Sequence, residues 1–356
     1  MSIDLTKAVE GKRVLVTGGT GSLGKVLVRA MLSGQYGRPA RLTVLSRDEG
    51  KHFAMRLAFN RMNAASEDII YRDYASILHF RVGDVRNYHS VVAALRDVDI
   101  VFNAAALKQV PSCEYFPGEA IETNILGPRN IVRAIAEHAL PVEVVMGVST
   151  DKACHPVNVM GMTKALQERV FVAGNLDAPQ TRFTCARYGN VLASRGSVIP
   201  LFHAQIAQGG PVTLTDPEMT RYFLTLDDAV RTIVSALVAG ERGEIFIPKA
   251  PAARIDMLVR LLIGDRGIPV ETIGIRPGEK VHETLVADDE AYRTVERQDY
   301  YVIRPALPEL GDVPKKPALR RAYTSNQRLM DEAQLDDLLT RNGLRVEDGP
   351  DFEAIY

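Results

Sequence analysis

The sequence predicts an α/β fold, a doubly wound parallel sheet with a smaller C-terminal lobe. The first half of the chain alternates short apolar runs with amphipathic stretches, which is typical of parallel strands joined by crossover helices. A glycine-rich segment directly follows the first apolar run, where this fold binds phosphate groups. With 356 residues, the chain can bury one large hydrophobic core, or a large one and a small one.

The first half contains six predicted strands. They lie at residues 13–17, 41–45, 78–82, 99–103, 143–148 and 181–187, with helices at residues 22–33, 120–139 and 159–175. Because crossover connections are right-handed, the ligand crevice should lie at the carboxyl ends of these strands.

The regular alternation ends after about Arg187, where loops rich in glycine, proline and aspartate separate short segments. We therefore assign residues 1–187 to a dinucleotide-binding domain, with residues 224–245 returning to it through a helix at 226–239. Residues 188–223 and 246–304 should form the second lobe. Residues 305–356 should form a C-terminal arm, extended over 305–325, and a helix.

Composition excludes several classes of protein. A formal net charge of -1 gives no electrostatic reason to bind nucleic acid or an anionic membrane. The three cysteines are too scattered for a disulfide framework or a zinc site. The sequence shows neither a signal-peptide pattern nor an apolar run of about 18 residues. We expect a soluble cytoplasmic protein without a metal.

The glycine-rich segment predicts a dinucleotide site. It runs from Gly18 to Gly24 with the sequence Gly-Gly-Thr-Gly-Ser-Leu-Gly. Glycines at 18, 21 and 24 suit the tight turn, the close approach to a pyrophosphate and the packing of helix on strand. The following helix N-terminus supplies unpaired N–H groups for phosphates. The predicted contacts in this segment are Gly18, Thr20, Gly21, Ser22, Leu23 and Gly24.

The end of the second strand indicates which dinucleotide binds. An NAD enzyme usually has an acid there to bind the ribose 2′-hydroxyl. Here Ser46 and Arg47 stand instead, and a guanidinium suits a 2′-phosphate. The pattern favours NADP, although Asp48 keeps NAD open and Arg47 could be a solvated surface charge.

Other cofactor contacts are expected after later strands. Asp84 should meet the adenine edge, and the small residues 103–106 should let the backbone form a wall of the site. The further predicted contacts are Val85, Ala104, Ala105, Lys108, Asn124, Lys164 and Tyr188.

The fifth strand leads into a candidate catalytic segment. Thr150, Asp151 and Lys152 follow it, and an acid beside an amine can supply both general acid and general base. Met160 and Lys164 share one helix face at i and i+4. Short-chain dehydrogenases place tyrosine and lysine at this spacing, but a thioether cannot accept the proton that a tyrosinate would.

Six motifs occur in a characteristic order. They are Ala-Ala-Ala-Leu-Lys-Gln-Val-Pro at 104–111, Ser-Thr-Asp-Lys-Ala at 149–153, Arg-Tyr-Gly-Asn-Val at 187–191, Ser-Arg-Gly-Ser-Val-Ile-Pro at 194–200, Asp-Pro-Glu-Met-Thr-Arg at 216–221 and Arg-Pro-Gly-Glu-Lys at 276–280. From about residue 11 to 285 the chain resembles the UDP-N-acetylglucosamine 4,6-dehydratases, which are Rossmann-fold enzymes of the extended short-chain dehydrogenase/reductase type. Some members bear the tyrosine, whereas a capsule-synthesis branch has methionine, like Met160.

The resemblance implies a three-step reaction. Hydride leaves C4 of the sugar for NADP, water is lost across C5 and C6, and the hydride returns to C6. By resemblance, Asp151 protonates the departing hydroxyl and Lys152 removes the C5 proton. Thr150 could hold the 4-hydroxyl, while Lys164 or a bound water takes its proton.

The resemblance also implies UDP-N-acetylglucosamine as substrate and a homo-oligomer, with a hexamer as one form. The implied substrate contacts are Lys108, Asn190, Arg195, Val198, Thr215, Arg221, Arg276 and Glu279. Residues 108–114 are closer to members that invert C5 than to retaining ones. Three alternatives stay open: C5 retention, a UDP-N-acetylhexosamine 4-epimerase, and a non-catalytic NADP-binding sensor.

Overall fold

The computed structural model describes residues 3–65, 74–192 and 197–350. Within these ranges, a nine-stranded sheet forms the centre of the molecule, in the order β3-β2-β1-β4-β5-β6-β9-β14-β13. Its strands are β1 Arg13–Thr17, β2 Arg41–Ser46, β3 Leu78–Val82, β4 Ile100–Asn103, β5 Val144–Val148, β6 Arg182–Ala186, β9 Ile245–Pro248, β13 Thr294–Arg297 and β14 Tyr300–Ile303. The first seven in this order, β3 through β9, pair in parallel.

The doubly wound parallel sheet predicted from the sequence is confirmed. Strand β4 is buried at every position and β1 at all but its first, as expected for strands covered on both faces. The six predicted strands agree with the observed ones to within one residue at either end. The crossover order reverses between β1 and β4, so the carboxyl ends of these strands border the crevice of the fold.

Thirteen α-helices occur in the described ranges. They are α1 Ser22–Leu32, α2 Glu49–Ala65, α3 Tyr74–Ile77, α4 Tyr88–Leu95, α5 Val110–Tyr115, α6 Pro117–Ile121, α7 Gly127–His138, α8 Val159–Asp177, α9 Val198–Ala207, α10 Leu226–Ala239, α11 Ile255–Ile263, α12 Asp288–Ala291 and α13 Glu332–Arg341. Helices α4, α7 and α8 pack side by side, while α1 packs against α10. No helix in the described part of the chain is both long enough and apolar enough to cross a membrane.

The helix predicted at residues 120–139 is divided into three pieces. A π-helical turn at 122–126 separates α6 from α7. Pro128 stands in the first turn of α7 and lacks the N–H that an uninterrupted α-helix would use there. The sequence predicted one helix because helical residues follow one another without a gap from α6 through the π-helical turn to α7.

The sheet extends beyond the predicted dinucleotide domain. Residues 246–304 were assigned to the second lobe, yet β9, β14 and β13 lie in the central sheet. Strand β14 pairs antiparallel with both β9 and β13, and all four of its residues are buried. The prediction was wrong here because these strands join the far edge through non-local pairing, which no local crossover pattern indicates.

The second lobe has a hydrophobic core of its own. Its small strands are β7 Val212–Leu214, β8 Thr220–Tyr222, β10 Ala252–Arg254 and β11 Val270–Thr272. Strands β12 Thr284–Val286 and β15 Tyr323–Thr324 lie at its border, because their buried Leu285, Val286 and Tyr323 belong to the main core. Helices α9 and α11 supply nearly half of the buried residues in the lobe's own core, and Leu335 and Leu339 of α13 are fully buried among them. Helix α13 lies in the predicted C-terminal segment, and it completes this core.

The predicted extended arm, residues 305–325, is anchored at its end. Strand β15 pairs with β12, and the buried Tyr323 ring packs against Tyr222 and Tyr301. The sequence predicted an extended arm because residues 305–325 are rich in proline, lysine and arginine, and Tyr323 is their one aromatic residue.

Candidate active site

A cavity of about 470 Å³ opens at the carboxyl ends of the parallel strands. Its walls come from the residues that directly follow β1 through β6 and from the buried face of α8 near its N-terminus. The predicted residues that line it are Gly18, Thr20, Gly21, Ser22, Leu23, Gly24, Ser46, Arg47, Asp84, Val85, Ala104, Ala105, Lys108, Thr150, Asp151, Lys152, Met160, Lys164, Tyr188 and Asn190. One cavity thus brings together the predicted cofactor and catalytic residues.

The turn after β1 has the form that a pyrophosphate needs. Gly18 has a φ of +66°, and a Cβ there would meet the Ala105 backbone at 2.7 Å. A Cβ on Gly21 would meet only the Gly18 carbonyl, at 3.4 Å, so the absence of a side chain leaves this turn open to the cavity. Gly21 also precedes α1 without a side-chain cap, which leaves first-turn N–H groups facing the cavity. These features fit a dinucleotide.

The end of β2 carries a positive wall. Ser46 accepts or donates a hydrogen bond with Thr20 at 3.0 Å, and Arg47 lies beside it on the cavity. Asp48 does not line the cavity: it accepts from the Lys51 N–H at 3.0 Å and pairs with the Lys51 amine at 3.4 Å. Lys51 itself lines the cavity, which the sequence reasoning had missed. Arg47 and Lys51 thus give the cavity two cations in the segment that follows β2, which fits a phosphate group.

Asp84 is held by Arg86 at the same end. Arg86 donates to one Asp84 oxygen at 2.8 Å, and Arg47 lies 3.8 Å from that oxygen. Burial alone would raise the pKa of Asp84, but the hydrogen bonds from Arg86 and both positive charges leave it below its usual value. Asp84 is therefore a fixed anion at the cavity wall.

Asn124 was predicted to contact the cofactor, but its side chain does not line the cavity. Its side chain is fully buried behind the wall, accepts from the Leu107 N–H at 2.8 Å and donates to the Leu107 carbonyl at 2.9 Å. It also donates to Thr163 of α8 at 3.0 Å. Asn124 shapes the loop that lines the cavity rather than the cavity itself.

Asp151 and Lys152 meet at the end of β5. The Lys152 amine lies 3.1 Å from Asp151 Oδ1, and Thr150 donates to the same oxygen at 2.8 Å. Asp151 Oδ2 is buried and has no partner among the described residues. Burial alone would lower the pKa of Lys152, but the charges of Asp151 and Glu283 leave it above its usual value. The pair thus rests with an ammonium against a carboxylate.

Glu283 was not singled out in the sequence. It lies just before β12, is buried, and places Oε1 3.5 Å from the Lys152 amine. No chemical pattern marks it, because its neighbours in the chain are ordinary residues and its partner is 131 positions away (283 − 152). Only the folded chain brings it to Lys152.

Lys164 reaches the cavity from the buried face of α8. Its amine donates to the Val148 carbonyl at 2.5 Å and to Gln167 at 2.6 Å. Burial lowers the pKa of Lys164 to about 8, and the opposing effects of Cys185 and Glu168 are smaller. Lys164 can therefore exist as a neutral amine near physiological pH, unlike Lys152.

Met160 lines the cavity one helical turn before Lys164. It is 5% exposed and packs with Cys113 and Ala120. The next residue, Gly161, lets α8 approach the catalytic segment, since a Cβ there would lie 2.2 Å from the Lys152 carbonyl. Met160 therefore stands on the cavity wall, at the i, i+4 spacing from Lys164 that a tyrosine has in short-chain dehydrogenases, and its apolar side chain packs there.

The predicted substrate residues are more dispersed. Arg195 lies outside the described residues, and Val198, Thr215, Arg221, Arg276 and Glu279 do not line the cavity. The guanidinium of Arg221 donates to the carbonyls of Thr220, Val281 and Lys280, so it braces the lobe. Arg276 is exposed. Buried oxygens of Asn190 and Glu279 lack partners within the described ranges, which leaves both able to accept from a ligand.

A buried ion network supports the site from behind. Arg187, which follows β6, pairs at 2.6 Å with both Glu168 of α8 and Glu290 of α12. Ser149 donates to Glu168 at 2.5 Å, so the network reaches the residue just before Thr150. The charge of Arg187 overcomes the effect of burial and lowers the pKa of Glu290 to about 2. The network joins the sheet, α8 and the second lobe.

Together these groups can perform acid-base chemistry beside a bound dinucleotide. The cavity holds a lysine paired with an acid, a lysine of lowered pKa, and a hydroxyl bonded to the acid. Elimination of a hydroxyl group requires an acid and a base at one place, and the segment after β5 supplies both.

Comparisons with known proteins place the chain in a family. Residues 14–305 match the family described as "Polysaccharide biosynthesis protein". The chain is 41% identical over 349 residues to a Rickettsia conorii protein named UDP-glucose 4-epimerase, covering 94% of this chain and 98% of the relative. It is 41% identical over 300 residues to a Campylobacter jejuni protein named UDP-N-acetylglucosamine 4,6-dehydratase (inverting), covering 83% and 84%.

Solved structures agree on the fold. The chain is similar to Pen from Bacillus thuringiensis, with a TM-score of 0.83, 34% identity and coverage of 95% of this chain and 99% of that one. It is also similar to DesIV, a dTDP-glucose 4,6-dehydratase of Streptomyces venezuelae with NAD and TYD bound (TM-score 0.63, 25% identity, coverage 76% and 86%). The resemblance drawn from the motifs is confirmed, and the chain belongs to the polysaccharide biosynthesis protein family with the extended short-chain dehydrogenase/reductase fold.

Proposed function

We propose that this chain is an NADP-dependent UDP-N-acetylglucosamine 4,6-dehydratase that inverts C5. The observation that carries the proposal is the contact between Lys152 and Asp151, 3.1 Å apart at the end of a central strand and inside the dinucleotide cavity. The Campylobacter relative bears the name of this activity. The product would be a UDP-2-acetamido-2,6-dideoxy-hexos-4-ulose for surface polysaccharide or glycan synthesis.

The cofactor is held by residues that suit NADP. The turn Gly18–Gly24 and the first turn of α1 would hold the pyrophosphate, and Arg47 with Lys51 would hold the 2′-phosphate. Bound there, the nicotinamide would accept hydride from C4 of the sugar and return it to C6. Asp48 is engaged with Lys51 and away from the cavity, which weakens the case for NAD.

The acid-base pair has to change its protonation before it can act. At rest Lys152 is an ammonium and Asp151 a carboxylate, whereas elimination requires an amine to take the C5 proton and an acid to protonate the leaving hydroxyl. The Lys152 ammonium can pass one proton to Asp151 Oδ1, 3.1 Å away. This single transfer produces the neutral amine and the protonated acid together, and no proton is exchanged with solvent. Lys152 then takes the C5 proton, and Asp151 gives its own to the departing hydroxyl.

The 4-hydroxyl proton requires a separate acceptor. Lys164 fits this role because burial lowers its pKa to about 8 and gives it a neutral fraction near physiological pH. Thr150 would orient the 4-hydroxyl, since its own hydroxyl already donates to Asp151. Met160 would act only by packing against the sugar.

The uridine diphosphate would lie towards the second lobe. Asn190 and Glu279 offer buried oxygens without partners in the described ranges, and Lys108 offers a cation on the cavity wall. Arg195 and Arg276 are further diphosphate contacts by resemblance, together with Val198 and Thr215. Arg221 would serve by bracing this region through its carbonyl contacts.

The proposal extends to assembly and location. Met162 and Leu166 are about half exposed one turn apart on α8, which supports a homo-oligomer built on this helix. The three cysteines are buried thiols, which suits a cytoplasmic enzyme.

A second candidate is a 4-epimerase, favoured by the name of the Rickettsia relative. An epimerase oxidises and reduces C4 alone and has no hydroxyl to expel, so an acid beside Lys152 would have no task. NMR of the product separates the two, because dehydration forms a C6 methyl group and a 4-keto sugar, while epimerisation forms neither. If neither the dehydrated sugar nor the C4 epimer is formed, the result would favour the non-catalytic NADP-binding sensor.

Isotope labels make the test specific. Substrate deuterated at C4 should give product with deuterium in the C6 methyl group, and reaction in D₂O should label C5 with inversion. Lys152→Ala and Asp151→Asn should each reduce turnover roughly 10²-fold or more while NADP stays bound. Loss of the C4 label to solvent, or full turnover in either variant, would contradict the proposal.

A further inference from the structure

The Lys152 amine lies between two buried carboxylates that come from different parts of the fold. Asp151 is its neighbour in the turn after β5, and Glu283 reaches it from the second lobe at 3.5 Å. Each carboxylate has one buried oxygen without a partner among the residues described, Asp151 Oδ2 and Glu283 Oε2. An ammonium between two acids is an unusual resting state for a residue that must later accept a proton.

The backbone of Glu283 is fixed by its neighbours. Its N–H donates to Ser325 Oγ at 2.9 Å, and the N–H of Ser325 returns a hydrogen bond to the Glu283 carbonyl at 2.9 Å. Ser325 is fully buried and also bonds to Thr220 of β8 at 2.6 Å. Glu283 is therefore held on a rigid junction of β8, β12 and β15, and its side chain points to Lys152.

The charges around this group nearly cancel. Arg221 of β8 places its Nε 3.8 Å from Glu283 Oε1, and its other nitrogens are bonded to carbonyls. Tyr222 of β8 lies near both acids, while α8 presents the uncharged Gly161 to the turn. Lys108 and Lys164 line the same cavity. Two cations, Lys152 and Arg221, thus face two anions at the centre of the group.

We propose that Glu283 is a positioning residue that holds the Lys152 ammonium against Asp151 and keeps one proton on the pair until substrate binds. Removal of Glu283 would leave Lys152 with a single carboxylate partner. The pair would then release its proton at lower pH, because an opposite charge within about 4 Å favours the charged form of a lysine. The effect of Glu283 on catalysis rests on the proposed function. Its effect on the proton affinity of Lys152 does not.

The raised pKa of Lys152 agrees with this arrangement. Burial alone acts in the opposite direction, and Asp151 and Glu283 are the two charges that overcome it. Glu283 would thus make Lys152 a stronger base once its proton has passed to Asp151. It would also make the proton state of the pair depend on contact with the second lobe.

The direct test measures the proton affinity of Lys152. Its side chain is 26% exposed on the cavity, so trace acetic anhydride should acetylate its neutral amine. Acetylation as a function of pH, followed by mass spectrometry of the Lys152 peptide, gives the midpoint without reference to activity. In Glu283→Gln this midpoint should fall by about 1 to 3 pH units. In Glu283→Asp, which keeps the charge, it should stay nearer to that of the parent enzyme.

A matched control separates this effect from loss of a buried acid. Glu290→Gln removes a buried carboxylate from Arg187, away from Lys152, and should leave the Lys152 midpoint unchanged. The alkaline limb of kcat/KM should move down in Glu283→Gln by the same amount as the labelling midpoint. An unchanged Lys152 midpoint in Glu283→Gln, or an equal shift in Glu290→Gln, would overturn the inference. Failure of the parent enzyme to dehydrate UDP-N-acetylglucosamine would reject the proposed function and leave the labelling result intact.

Discussion

Replacement of Lys164 by methionine should change how stability depends on pH. Methionine has similar volume and no charge, so Lys164→Met removes the ionisable amine with little change in packing. Burial lowers the pKa of Lys164 from its ordinary 10.5 to about 8 in the folded chain. Because one pKa unit corresponds to about 1.4 kcal/mol, the difference between folded and unfolded states amounts to about 3 kcal/mol.

The sign follows from where the proton is bound. Between pH 8 and about 10 the unfolded chain keeps the Lys164 proton while the folded chain has lost it. Unfolding then takes up a proton, so the free energy of unfolding of the parent protein rises with pH in this window. Lys164→Met lacks this contribution. The parent should gain about 2 to 3 kcal/mol over the variant between pH 8 and pH 10.

Urea denaturation at pH 7.5, 8, 9 and 10 measures this difference. The sequence has no tryptophan, so circular dichroism should follow the transition. Protein concentration must be constant because association shifts apparent stability. Lys12→Met, at a partly exposed ion pair, controls for the loss of one positive charge. A parent-minus-variant difference that stays flat from pH 8 to pH 10 would refute the reasoning.

Three further predictions concern single side chains. Arg47→Ala should weaken NADP binding about 10- to 100-fold by calorimetry and leave NAD binding nearly unchanged; equal weakening of both would contradict a 2′-phosphate contact. Met160→Leu keeps the apolar volume and should retain turnover within about tenfold, whereas a loss of some 10³-fold would require a direct part for the sulfur. Glu290→Gln should lower the free energy of unfolding in urea by about 3 to 5 kcal/mol because Arg187 loses a buried partner. The exposed Glu296→Gln should cost less than about 1 kcal/mol, and similar losses in both would argue against the buried network.

Local patterns predicted the part of the fold that local chemistry determines. Strands β1, β4 and β5 are short apolar runs, and a helix follows each of β1 to β6 in the chain, so the positions of these strands agreed closely with the structure. Strands β13 and β14 could not be assigned to the sheet, because their pairing depends on residues about 50 positions earlier in β9. The π-helical turn before α7 was also missed, since helical residues adjoin it on both sides and no break in the chain marks it.

The site shows the same division. Residues that follow strands, such as Arg47 and Asp151, could be predicted because the fold brings all strand ends to one crevice. Glu283 was missed because it follows no strand of the parallel sheet, and Lys51 was missed because it lies in the first turn of α2, beyond the residues directly after β2. Asn124 was expected at the cofactor, but the amide finds partners in Leu107 and Thr163, which sequence spacing does not reveal.

During translation, the core of the second lobe cannot be completed until helix α13 has been synthesised. The apolar faces of α9 and α11 are covered by Leu335 and Leu339, roughly seventy residues after α11 ends. At about 5 to 20 residues per second, the ribosome needs roughly 4 to 14 seconds to supply them.

In this interval the parallel sheet already has the residues of β1 to β6, but the second lobe still exposes an apolar groove. A nascent chain in this state is suited to bind a holdase or a neighbouring nascent chain. Helix α13 therefore covers this groove late in synthesis, and mutations that weaken it should lower the yield of folded protein before they alter the activity of the protein that does fold.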